Sequence, residues 1–247
     1  MRDGKAAIVT GAASGIGHAI AERLSGDGFE VLAVDLHPEG GGPGEPFEAD
    51  LTTRAGNKAS VEAALDRFGR LDAVVANAGF QRVAPIGDFA EDDWDGLIAL
   101  LLTSPFLLAK YSWPALKESG SGRFIAIASA HSLVASPFKA GYVAAKHGLL
   151  GLVKVLALEG AEHGIRASAV CPAFVRTPLV ESQIAAQAKA HGMDEDRVLE
   201  EVILAPHAVK RLIEPEEVAG VVSFLLGPEG DAFTGAPVMM DLGWSAR

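Results

Sequence analysis

The feature that most constrains this chain is a glycine-rich turn set between an apolar strand and a helix near its start. Lys5 to Thr10 reads as a buried strand, glycines follow at 11, 15 and 17, and Ile20 and Leu24 then recur at helical spacing. Such a turn lets backbone come close to a pyrophosphate, which the positive end of the following helix stabilises. Gly11, Ser14, Gly15, Ile16 and Gly17 are the candidates for that cradle. The alternation then continues. Strands are expected at Phe29 to Val34, Pro46 to Ala49, Leu71 to Ala76, Arg123 to Ala128, Arg166 to Cys171 and Pro237 to Asp241. Helices are expected at Thr53 to Phe68, about Trp94 to Lys117, Lys139 to about Gly160, and from Pro215. Strand–helix alternation of this kind implies an α/β fold: a doubly wound parallel sheet of about seven strands with helices on both faces. No repeat or linker divides the 247 residues, so a single domain is expected.

Composition narrows the partners. Apolar residues make up 49% and charged residues 21%, enough to fill a core without staples. The net charge of -11 and the lack of any Lys/Arg block argue against nucleic acid. The single cysteine, Cys171, sits in an apolar run and reads as a buried structural thiol, with the cytoplasm as the default compartment. Met1-Arg2-Asp3-Gly4-Lys5 runs straight into a strand, which does not resemble a signal peptide. Leu97 to Leu102 is the most apolar stretch, but Thr103, Ser104 and Pro105 follow at once, so no bilayer span and no membrane partner are expected. The histidines are scattered, and no metal site is expected.

Chemistry enters at Tyr142 and Lys146. At i and i+4 they share one helix face. A phenol titrates near ~10, and an ammonium beside it favours the phenolate. The lowered group can then exchange a proton with an alcohol. The plain alternative is chance spacing on a surface helix. Ser129, at the end of the run Arg123 to Ala128, adds a hydroxyl at the carboxyl end of a strand, where ligands of open α/β sheets bind. Asp35 ends the second strand and is followed by Leu36 and His37. Its carboxylate can accept hydrogen bonds from ribose hydroxyls, and no adjacent Arg or Lys invites a 2′-phosphate, which favours NAD.

With Thr10-Gly11-Ala12-Ala13-Ser14-Gly15-Ile16-Gly17 and Ser129, the Tyr142-x-x-x-Lys146 pair resembles the short-chain dehydrogenase/reductase family, over almost the whole chain. The resemblance implies a Rossmann-type fold, a nicotinamide cofactor, and Ser129, Tyr142 and Lys146 as the catalytic residues, with Lys146 also on the nicotinamide ribose. Asp50 and Leu51 resemble the segment that lines the adenine, although Asp50 could equally cap the helix from Thr53. Asn77-Ala78-Gly79 resembles a motif that steadies the sheet and contacts cofactor ribose. Pro172 to Thr177 resembles P-G-x-x-x-T, whose proline, backbone at Val175 and Thr177 hydroxyl would grip the carboxamide; Ala173 replaces the usual glycine. The helical stretch from about Pro178 to Lys210 matches the family's substrate lid. One position departs strongly: seven residues after Trp94 the family has an asparagine that links the lysine to solvent through a water, and this chain has Leu101, which neither donates nor accepts.

Four runs, Ala128 to Val134, Ala140 to Gly148, Arg176 to Val180 and Asp241 to Trp244, are similar to the bacterial D-3-hydroxybutyrate dehydrogenase branch of that family. That branch implies a substrate carboxylate held by the residues matching Gln81, His131, Lys139 and Gln183, next to Ser129 and Tyr142. Phe174 stands where the branch has a lid tryptophan, and Trp244 could reach a neighbouring subunit's site. The expectation is NAD-dependent interconversion of D-3-hydroxybutyrate and acetoacetate in a homotetramer built on the helices Trp94 to Lys117 and Lys139 to Gly160. Two alternatives stand beside it: another hydroxy acid, sugar or cyclic alcohol as substrate, or an NAD(H)-binding sensor left weakly active by Leu101.

Overall fold

In the computed structural model, residues 4–38 and 42–246 are described, with the backbone alone at 186, 187 and 189–191. Residues 1–3, and 39–41 of the expected Pro38 to Pro46 loop, lie outside the described residues. The seven strands are β1 Ala6–Thr10, β2 Glu30–Asp35, β3 Glu45–Glu48, β4 Ala73–Ala76, β5 Arg123–Ile127, β6 Arg166–Pro172 and β7 Pro237–Met240. They form one sheet in the order β3-β2-β1-β4-β5-β6-β7, every pairing parallel. The chain runs outward from β1 to β3, then returns to β4 on the other side of β1. That reversal opens a crevice at the carboxyl ends of β1 and β4.

Inner strands are apolar on both faces because helices cover both. On β1, Ala6 and Ile8 face one core while Ala7 and Val9 face the other; on β5, Phe124 and Ala126 oppose Ile125 and Ile127. The first core takes Val61, Ala64 and Phe68 of α2 (Arg54–Phe68) with Leu108 and Leu116 further along and Leu149 and Val153 of the long helix after Lys139. The second takes Ile20 and Leu24 of α1 (Gly15–Gly26) with Val218, Val222 and Leu225 near the C-terminus.

Local chemistry sets the boundaries. The Thr53 Oγ1 accepts the Gly56 N–H at 3.0 Å and caps α2. Asp50 is therefore not the cap: its carboxylate folds a turn, accepting the Thr52 N–H at 2.9 Å. β4 starts later than Leu71 because the Asp72 carboxylate accepts the Ala6 N–H at 2.8 Å and pairs with Arg70 at 2.7 Å. The helix expected from Trp94 begins at Glu91, where Glu91, Asp92 and Asp93 complement the helix dipole. It runs as α3 (Glu91–Ile98), a π-turn (Ala99–Thr103) and α4 (Ser104–Glu118). The wider turn falls on Leu101, which is buried with Leu97 and Ala145 of α5 (Ala140–Gly160).

The continuous helices Glu91–Glu118 and Ala140–His163 are long and apolar enough to cross a bilayer by length and composition, which corrects the expectation that no segment is. In this fold their apolar faces pack on the sheet and on each other. Beyond β6, α6 (Pro178–His191), α7 (Glu195–Val198) and a π-turn (Leu199–Ile203) enclose a small core of their own, made by Val180, Ile184, Val198, Ile203, Leu204 and Leu212. The last helix, α8 (Pro215–Leu226), returns the chain to the sheet.

Candidate active site

The carboxyl ends of the strands border a cleft of about 470 Å³, the size of an ordinary small-molecule site. At one end lies the glycine turn. Gly11 and Gly15 have φ of +66° and +54°, a region side chains disfavour. Ser14 precedes α1 without a side-chain cap, so the first-turn N–H groups are left for an anion. Gly17 does not line the cleft, contrary to expectation. It lies behind the turn, where a Cβ would come within 2.0 Å of the Gly11 carbonyl oxygen. Its part is to let α1 pack against the turn. Asn77 fixes the turn from the other side: its Nδ2 donates to the Thr10 carbonyl at 2.9 Å, and Thr10 Oγ1 accepts the Asn77 and Ala78 N–H groups at 2.9 and 3.0 Å. The Asp35 carboxylate accepts the Ala13 N–H at 3.0 Å. A bare glycine-lined backbone, an uncapped helix start and a carboxylate at the next strand end fit a dinucleotide. Asp50, Leu51, Gly79, Pro172, Val175 and Thr177 border the same cleft, together with Leu36 and Thr52, which sequence reasoning missed.

Ser129, Tyr142 and Lys146 meet near the middle. Ser129 ends the β5 segment, and α5 brings Tyr142 and Lys146 to it on one face. Burial raises the Tyr142 pKa, and the nearby Ser129 hydroxyl opposes that rise only in part. The expected lowering by Lys146 is not present in this arrangement. Its Nζ sits 5.6 Å from the centre of the Tyr142 ring and donates instead to the Ile127 carbonyl at 2.7 Å. Burial holds the Lys146 ammonium at about 8. Cys171 is close enough to act on both groups, and burial pushes its thiol to about 11, as for an inert structural residue.

The far end combines a polar rim with an aromatic wall. Gln183 of α6 donates to Gln81 at 2.6 Å, leaving Gln81 Nε2 and Gln183 Oε1 buried without partners. Reversing both amides keeps that bond, so the pair always offers one NH₂ and one carbonyl. Lys139 lies 5.2 Å over the Phe174 ring, its pKa lowered by burial, and makes no ion pair among the described residues. His131 departs from its expected role as a free donor. Its Nε2 bonds to Ser136 Oγ at 2.9 Å and its Nδ1 lies 3.5 Å from Ser129 Oγ. Burial, then Lys139 and His147, hold the imidazole at about 4, so it is neutral near pH 7.

Trp244 lies in this chain's own cleft, where the Ala208 and Val209 N–H groups clip to the Leu242 carbonyl at 2.9 and 3.1 Å. Its ring stacks with Phe174 at 6.0 Å and meets the edge of His131 at 5.1 Å. His207, another residue sequence reasoning missed, backs both aromatics at 5.9 and 5.8 Å.

A proton-handling phenol, a serine and a lysine beside a dinucleotide cradle on this sheet define an oxidoreductase site, and the family comparison agrees. The family model described as enoyl-(acyl carrier protein) reductase matches residues 11–245. The chain belongs to the short-chain dehydrogenase/reductase family, whose members use NAD or NADP. It is 43% identical to a D-beta-hydroxybutyrate dehydrogenase of Rhizobium meliloti over 98% of this chain and 99% of that one. It is 38% identical to a D-beta-hydroxybutyrate dehydrogenase of Cupriavidus necator over 100% of each. Among solved structures, ligand-free aldohexose dehydrogenase of Thermoplasma acidophilum superposes with a TM-score of 0.91 at 32% identity, over 99% of this chain and 95% of that one.

Proposed function

We propose that this chain is an NAD-dependent dehydrogenase of a short 3-hydroxy acid, D-3-hydroxybutyrate being the best candidate and acetoacetate its product. The observation that carries the substrate class is Lys139, a half-buried ammonium with no counter-ion among the described residues, lining the cleft with an amide pair and an aromatic wall. A carboxylate offsets its desolvation and takes a further bond from the free amide NH₂. Phe174 and Trp244 then cover the methyl end. Relatives of the D-beta-hydroxybutyrate dehydrogenase kind support this choice.

A bound nicotinamide would supply the hydride acceptor for the alcohol carbon. The chain's residues do the rest. Ser129 holds the hydroxyl oxygen, and Tyr142 as phenolate takes its proton. Lys146, freed from Ile127, would hold the nicotinamide ribose and stabilise the phenolate. Pro172, Val175 and Thr177 would orient the carboxamide. Asp35 would accept the ribose hydroxyls and disfavour a 2′-phosphate, giving NAD over NADP. The segment from Pro178 to about Lys210 would act as a lid, moving as a unit on its own core and latched through Gln183 to Gln81. The buried free Cys171 is in keeping with the cytoplasm, and exposed Phe106, Val155 and Leu158 on α4 and α5 suit subunit contacts of a homotetramer.

The test is an absorbance assay for reduced nicotinamide, with both cofactors and a panel of 3-hydroxy acids, sugars and cyclic alcohols. The highest kcat/KM is expected for NAD with D-3-hydroxybutyrate. A sugar or cyclic alcohol turned over faster, or NADP preferred, overturns the assignment. Tight NADH binding with no turnover on the panel favours the sensor alternative.

A further inference from the structure

The aromatic wall at the substrate end of the cleft is braced from behind. Phe174 and Trp244 border the cleft, and His207 does not. The His207 imidazole is 1% exposed and lies 5.9 Å from the Phe174 ring and 5.8 Å from the Trp244 ring, centre to centre. The two wall rings stack on each other at 6.0 Å, so one side chain supports both. The Ile203 and Leu204 carbonyls stand near the imidazole, yet neither ring nitrogen makes a well-formed hydrogen bond among the described residues. What the ring supplies here is volume rather than a polar contact. The backbone that carries it is pinned on two sides. The His207 N–H donates to the Leu204 carbonyl at 3.0 Å, and Lys210 Nζ donates to the Leu204 and Ala205 carbonyls at 3.0 and 2.7 Å. On the other side, the Ala208 and Val209 N–H groups hold the Leu242 carbonyl, and a Cβ on Gly243 would come within 2.7 Å of the Ala208 Cβ. A buried ring on so tightly held a turn has nowhere to move, because packed interiors leave no spare volume.

We infer that His207 is the backstop of this wall and sets how long an acyl chain the cleft admits, an inference that rests on the 3-hydroxy acid reading of the same cleft. In that reading the carboxylate is held at Lys139 and the reacting hydroxyl at Ser129. Each methylene added beyond the alcohol carbon must then go toward Phe174 and Trp244. With His207 in place the two rings stand still, and a chain longer than that of 3-hydroxybutyrate runs into them. His207 touches no substrate; it is a positioning residue that acts through the two rings. Cutting its side chain back leaves a space that one of them can fill by turning, because an empty cavity in a packed interior forfeits the contacts of its lining. The cleft then deepens by the volume the wall gives up.

The test compares His207→Ala with His207→Leu, which keeps a similar volume without the nitrogens. The readout is kcat/KM for 3-hydroxyvalerate divided by kcat/KM for 3-hydroxybutyrate. Losses common to both acids, at Lys139 or in the fraction of folded protein, cancel in this ratio. It is expected to rise roughly tenfold in His207→Ala, the scale of one methylene in an apolar pocket, and to keep its wild-type value in His207→Leu. An unchanged ratio in His207→Ala overturns the backstop, and so does an equal rise in His207→Leu. Should the alanine variant fail to fold, His207→Val replaces it, with a smaller rise expected and an unchanged ratio again overturning the inference. A crystal structure of the cofactor-free variant reads the wall without turnover. Phe174 or Trp244 turned into the vacated space is expected, and both rings left in place over a void overturn the backstop. If the wild type oxidises no 3-hydroxy acid, the substrate reading fails, while this structure still decides whether His207 holds the wall.

Discussion

Leu101→Asn puts an amide where the short-chain dehydrogenase family pattern has one, so it separates two accounts of the site. Leu101 is 1% exposed, packed with Leu97 and Ala145. It fits tightly against Gly79: a Cβ there would lie 2.8 Å from Leu101 Cδ2. Losing a buried leucine removes about 1.5–3 kcal/mol of transfer free energy. An amide left without partners in that apolar cluster adds about 1–3 kcal/mol. The sum is about 4 kcal/mol, or a Tm drop on the order of 10 °C for a chain of this length. Thermal unfolding at fixed protein concentration without cofactor measures the first quantity, and kcat for 3-hydroxybutyrate oxidation the second. A lower Tm with no gain in kcat is expected, because an amide without partners in this apolar cluster gives a water no second polar group to rest on. An unchanged Tm with a higher kcat would refute both steps: the amide would have found partners, and leucine would be the gap in proton handling.

Tyr142→Phe should lower kcat by ~10²–10⁴ while NADH binding holds; parallel loss of both counts against the assigned role. Gly17→Ala sets a methyl 2.0 Å from the Gly11 oxygen, so the turn must open. NADH affinity by fluorescence titration should collapse, and wild-type affinity would show that the turn is not the cradle. His131 is held at about 4 against 6.5 in the unfolded chain. The folded state therefore binds fewer protons, and stability is full above pH 6.5 and lost as pH falls toward 4. Its share is ~3 kcal/mol, read as the flatter pH dependence of His131→Gln in urea melts; identical profiles for the two proteins would sink this attribution.

Much of the frame was legible because it is local. Burial on both faces of a parallel strand leaves a short apolar run, a dinucleotide turn leaves its glycines, and a shared helix face leaves Tyr142 and Lys146 at i and i+4. Strand ends then place Asp35, Asn77 and Ser129 at one rim without any knowledge of distant contacts. Gly17 carried the right residue type for a less direct reason, since close approach to backbone and close approach to ligand both demand a missing Cβ. Leu101 shows the reverse: its type read as a lost polar contact, while the π-turn that seats it among Leu97 and Ala145 left no periodic signature.

The order of strands and helices, and the set of side chains crowding the sheet's carboxyl edge, follow from the sequence alone, since hydrophobic period and turn chemistry act over a few residues. Where those side chains point was decided only by tertiary structure. The C-terminal hook folds Trp244 back over its own cleft, burial turns Lys146 toward the Ile127 carbonyl, and the loop after Ser129 brings Ser136 against the far side of His131. Each depends on hydrogen bonds and desolvation set by groups remote in the chain, or by a loop whose path no local pattern specifies.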